Sequence, residues 1–129
     1  AEILRAPFPS VISVASYPGS GRLQPRVTGM TAELLRHFVR ERQDLTLEEA
    51  VNRLTLRPAE RYGLAAKGRI ALGADADLCL FDPEGFRPVG TYADPRRAAA
   101  GMDWVFVGGR PVLREGQRTG ERPGGVLRR

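Results

Sequence analysis

The chain has 129 residues, 42% of them apolar and 27% charged, which suits one globular domain, or two closely joined pieces, able to bury a core. No run of about 18 apolar residues is present to span a bilayer, and "AEILRAPFPS" lacks the basic-then-apolar layout of a signal peptide, so no membrane partner and a cytoplasmic location are expected. The net charge of +5 rests almost wholly on arginine, Lys67 being the single lysine; acids lie between the arginines, as in "RHFVRERQD", and no aromatic is interleaved, which reads as solvated surface and not as a nucleic-acid face.

Residues 10–16, "SVISVAS", form a short β-branched run between Pro9 and Pro18-Gly19, and read as a strand entering a loop that lasts to about Gly29. From Thr31 the period changes. Leu34, Leu35, Phe38 and Val39 share one helical face over Thr31–Arg42, with Glu33, Arg36, Arg40 and Glu41 opposite. "TLEEAVNRL" then opens on a capping box, Thr46 with Glu49 three residues on, above a stripe of Leu47, Ala50, Val51 and Leu54. Arg57-Pro58 is expected to stop that helix, Pro58 to start a short third one at its first position, and Gly63 to close it.

Beyond Lys67 the pattern turns to strands. "DLCLFD" holds an apolar strand, Leu78 to Phe81, that must be covered on both faces, with Cys79 inside it as a buried and unreactive thiol. Asp82-Pro83 ends it. In "MDWVFVGGRPVLREGQ" two apolar strands flank Gly108-Gly109, the pair a two-residue hairpin with positive φ requires. The tail "GQRTGERPGGVLRR" has turn composition and is expected to lie over the surface. A helical part, residues 1–65, thus precedes a β part, residues 66–129.

Several of these stretches occur together in one family. The capped helix with "RPAERYGL", then "GRIALGADADLCLFD", "VFVGGRPVLREG" and the closing "TGERPGGVLR" resemble the C-terminal end of the N-acyl-D-amino-acid deacylases, or D-aminoacylases, of the metal-dependent amidohydrolase superfamily. The Ala-Asp-Leu strand is shared across that superfamily, whereas the closing "TGERPGGVLR" narrows the likeness to the deacylases. The resemblance implies an α/β plus β architecture: the last strand and helices of a (β/α)8 barrel over residues 1–65, then the C-terminal share of a small β-sandwich over residues 66–129. It also implies that the chain is about the final quarter of such an enzyme, one that hydrolyses linear C–N amide bonds of N-acyl-D-amino acids with zinc.

The loop after the first strand is where the resemblance becomes specific. In the family this strand end carries a proton-shuttling Asp beside the metal, and a His-Pro-Arg element follows whose Arg pairs with the substrate α-carboxylate. "QPRVTG" aligns with that element, which places Arg26 on the carboxylate and Gln24 at the His; counting back puts Ala15 at the Asp. Ser16 beside it does not ionise near neutral pH, and no Asp or Glu occurs between Glu2 and Glu33 to replace the acid. No catalytic residue and no metal ligand are therefore assigned within the chain. One histidine and one cysteine cannot make a zinc site, and His37 reads as a partly exposed structural residue. The implied partners are the missing N-terminal barrel portion or a second copy, with a small N-acyl amino acid as ligand. The alternative is a degenerate, non-catalytic structural or oligomerisation module, which Ala15 and Gln24 favour.

Overall fold

The computed structural model describes residues 24–127. Ala15, Ser16 and the expected strand over residues 10–16 lie outside the described residues.

The chain enters at Pro25, whose φ of −55° is already helical, and helix α1 runs from Arg26 to Leu34 before passing directly into a π-helical segment, Leu35–Glu41. The sequence places this start at Thr31, after Gly29, because Val27, Thr28 and Gly29 are weak helix formers. Tertiary packing overrides that propensity. Gly29 is buried, and a Cβ built there would stand 2.8 Å from the Pro88 side chain, so a glycine in the first turn lets another segment come close.

Helix α2, Leu47–Leu54, carries the expected capping box: Glu49 N–H donates to Thr46 Oγ1 at 3.2 Å and Thr46 N–H donates to Glu49 Oε2 at 2.8 Å. Of its stripe, Ala50 is wholly buried, while Leu47 and Leu54 pack partly covered against the core. Helix α3, Leu56–Arg61, begins two residues ahead of Pro58, so that proline occupies the third helical position and not the first. Either place suits it, since no N–H of the first turn has an intrahelical partner. Gly63 follows α3 with φ +69°, the left-handed residue expected after its end.

Among the described residues four strands form one antiparallel sheet in the order β1 (Leu78–Phe81), β2 (Met102–Val107), β3 (Arg110–Arg114), β4 (Gln117–Arg118). Gly108 and Gly109, at φ +55° and +75°, make the β2–β3 turn the sequence signals. A second turn of the same kind, Glu115-Gly116 at φ +48° and +75°, joins β3 to β4, so Gln117 and Arg118 extend the sheet and are not part of a loose tail.

Two expectations for β1 fail. Leu78 and Leu80 are 37% and 61% exposed, so the strand is not covered on both faces, and Cys79 is exposed, not buried. The reason is topological. Among the described residues β1 is an edge strand paired with β2 alone, and Phe81 and Met102 are the strand residues that pack against the core cluster. That core is Ala32 and Leu34 of α1, Leu35 of the π-helical segment, Leu45, Ala50, and Phe86 from the long β1–β2 connection.

Candidate functional site

Arg26 is the first residue of α1 and is exposed, with Gln24 exposed just before it. The turn beneath it closes through backbone bonds: Val27 N–H donates to Gln24 O at 3.0 Å and Gly29 N–H to Pro25 O at 3.2 Å. No acidic residue stands in the first turn of this helix, so the guanidinium and the positive end of the helix dipole act in the same direction on an approaching anion. A planar guanidinium fits a carboxylate or a phosphate through two parallel hydrogen bonds.

The β1–β2 connection builds the wall next to that turn. It is closed at its base by a bridge between Arg87 and Ala100, each N–H donating to the other's carbonyl at 3.1 and 3.0 Å. Phe86 anchors the near end in the core, where its ring lies 5.2 Å from that of Phe81. Arg40, at the far end of the helical run, donates to Pro83 O at 2.6 Å and to Phe86 O at 2.9 Å. At the near end Thr28 Oγ1 lies 3.0 Å from Pro95 O and 3.2 Å from Pro25 O. Gly101, with φ +82°, lets the returning chain pass: a Cβ there would stand 2.5 Å from Gly85 C.

A second polar group, not anticipated from the sequence, lies at the other end of the sheet. Lys67 Nζ sits 2.8 Å from Asp75 Oδ2 and 2.5 Å from Asp77 Oδ2, while Asp77 Oδ1 accepts from Gly108 N–H at 2.8 Å. The lone lysine followed by "ADAD" was the available signal. Hydrogen bonds from Lys67 and Gly108 hold the Asp77 carboxyl below the ordinary aspartate range, and Asp75, then Asp77, raise the lysine. These charges satisfy one another, so the cluster ties the hairpin to the segment after α3. It borders an open cleft of about 610 Å³ between α3 and the C-terminal segment, with Tyr62, Leu64 and Leu127 among its lining.

His37 is half-exposed, with Nδ1 3.3 Å from Glu41 Oε2 and its ring edge-on to Phe38. Although Cys79 is exposed at the edge strand, partial desolvation by the atoms around its sulfur, and then the Asp77 charge, raise the thiol above its ordinary value. Among the described residues no group of three or more His, Cys, Asp or Glu side chains could hold a metal ion, so the described part does not fit the zinc that the resemblance implies, and no step below runs through one. Nor is any helix among them long and apolar enough to cross a membrane.

The helical run and the antiparallel sheet agree with what comparison with known proteins finds. Residues 9–113 match the model described as the amidohydrolase family, and the chain belongs to that family. Within it, the chain falls with the N-acyl-D-amino-acid deacylases. It is 37% identical over 121 residues to the D-aminoacylase of Alcaligenes xylosoxydans xylosoxydans, covering 94% of this chain and 25% of that protein. Its fold superposes on a D-aminoacylase mutant solved with copper chloride at a TM-score of 0.79 and 36% identity, over 84% of this chain and 23% of the other. The N-acyl-D-glutamate deacylase of Bordetella bronchiseptica, solved with zinc and a phosphonate mimic of the tetrahedral intermediate, gives 0.77 and 38% over the same shares. The chain thus spans about a quarter of the length of the relatives it matches.

Proposed function

We propose that the chain is the C-terminal part of an N-acyl-D-amino-acid deacylase-like amidohydrolase, in which Arg26 binds the α-carboxylate of an N-acyl amino acid. In this reading residues 1–65 end a (β/α)8 barrel and residues 66–129 are a share of a small β-sandwich. The observation that carries it is the position of Arg26, exposed at the start of a helix whose first turn holds no acid. The uncovered face at Leu78 and Leu80 supports the sandwich, because a second layer would remove those side chains from water.

The same reading makes the chain a binder without a proton shuttle of its own. Amide hydrolysis needs a group that takes the proton of the attacking water and delivers it to the leaving amine; Ala15 stands at the position of the family's Asp and has no ionisable group. That substitution, with Gln24 at the His position, also favours the second reading, a non-catalytic module kept for packing or subunit contact.

Calorimetric titration of the complete protein that carries this chain, with N-acetyl-D-alanine and with its carboxamide, separates the two. Under the first reading the carboxylate ligand binds more tightly, and Arg26→Ala lowers its affinity by about ten- to a hundredfold, the value of a charge-assisted pair. Equal affinities for both ligands, unchanged by Arg26→Ala, would sink the substrate-binding role and leave the structural module.

A further inference from the structure

The first turn of α1 does not stand alone. Thr28, two residues after Arg26, has its hydroxyl 3.0 Å from Pro95 O, a contact spanning 67 residues of sequence. One residue on, Gly29 lies so close under Pro88 that any side chain would strike it, and a Cβ at Gly90 would stand 3.2 Å from Thr28 Oγ1. The 88–99 loop is closed at its base by the Arg87–Ala100 bridge, and its tip is shaped by Thr91, whose N–H donates to Asp94 O while its Oγ1 accepts from Asp94 N–H. Arg40 fixes the other end of the same connection to the far end of the helical run. The connection is therefore tied to the helical run at its start by Arg40 and within its loop by Thr28, at the turn that presents Arg26.

From this juxtaposition we infer that Thr28 is a positioning residue for Arg26: its hydroxyl bond to Pro95 O sets the first turn of α1 in the orientation that aims the guanidinium at a ligand carboxylate. The inference rests on the carboxylate-binding reading of Arg26 and extends it, since it gives the β1–β2 connection a part in ligand affinity without touching the ligand. A guanidinium fork gains its geometric advantage only when its backbone origin is fixed, because a bidentate pair tolerates little rotation.

The test uses the complete protein and the same two probes. Thr28→Val keeps the shape of the side chain and removes the hydroxyl; Thr28→Ser keeps the hydroxyl. The valine variant is expected to bind N-acetyl-D-alanine about two- to tenfold more weakly, the range of one lost hydrogen bond, with the carboxamide unaffected and the serine variant restored. In an Arg26→Ala background Thr28→Val is expected to add nothing, the non-additivity of two residues acting as one unit. Urea midpoints of all variants report folding separately. An equal loss for both probes, or an additive loss in the Arg26→Ala background, overturns the inference by making Thr28 merely structural. So does an Arg26→Ala effect with no Thr28→Val effect, which leaves the role of Arg26 standing. No effect of Arg26→Ala at all overturns that role and this inference with it.

Discussion

The helical end of the molecule and the outer edge of its sheet treat apolar side chains in opposite ways. Around the first helix, Ala32 and Leu35 are 1% and 2% exposed, covered by residues of this same chain, with Phe86 brought in from the β1–β2 connection. At the edge, Leu80 stays 61% exposed, and Ile70 and Leu72, just ahead of β1, are 90% and 106% exposed. A globular surface scatters single apolar side chains routinely, but an apolar edge strand beside further exposed aliphatics invites pairing or cover. The helices carry their own partner, whereas the sheet presents a face for which the described residues supply none.

Matched truncations measure that contrast. The largest effect is expected from Leu35→Ala, which truncates a buried side chain and leaves a cavity; urea unfolding of the chain should show a loss of about 2–4 kcal/mol. A loss below about 1 kcal/mol would mean that the helical core is loosely packed and the contrast false.

A smaller, pH-dependent effect is expected at the Lys67–Asp77 tie, which belongs to the sheet and not to the helical core. The folded carboxyl of Asp77 titrates below its unfolded value, near 3.9, so its contribution is fully present above that pH and fades as pH falls through the folded value. Lys67 is raised, so on the alkaline side the pair is intact below the ordinary lysine range and is lost as pH climbs through the lysine's folded value. The pair is solvent-screened and contributes little to stability. Asp77→Asn should therefore flatten the acid limb of the stability profile as pH falls below the ordinary aspartate range and lower stability slightly at pH 7. An acid limb identical in both proteins would remove Asp77 from that role.

The smallest effect is expected from Leu80→Ala. With most of its side chain in water there is little burial to lose, and stability should change by less than about 0.5 kcal/mol. A loss comparable to that of Leu35→Ala would show that the edge is covered in solution, for instance by a second copy, and concentration-dependent sedimentation would then identify the cover.

Much of this was legible from local rules. The capping box at Thr46 and Glu49, the turn at Gly108-Gly109 and the strand Leu78–Phe81 each depend on a few adjacent residues whose backbone preferences agree with the fold. The start of α1 was not legible, since Gly29 speaks against a helix until Pro88 is placed beside it. The Glu115-Gly116 turn was missed because glutamate seldom takes a positive φ and gives no cue of its own.

For the site, the family resemblance led from the sequence to Arg26 as the proposed carboxylate binder and aligned Ala15 with the position of the family's acid. Neighbours remote in sequence were beyond its reach. That Thr28 meets Pro95 across 67 residues, that Arg40 holds the carbonyls of Pro83 and Phe86, and that β1 lies uncovered at an edge were decided by tertiary structure. The physical reason is the range of the forces involved. Caps and turns are settled within a few residues of backbone, whereas docking and burial depend on which distant segments share the same space once the chain has folded.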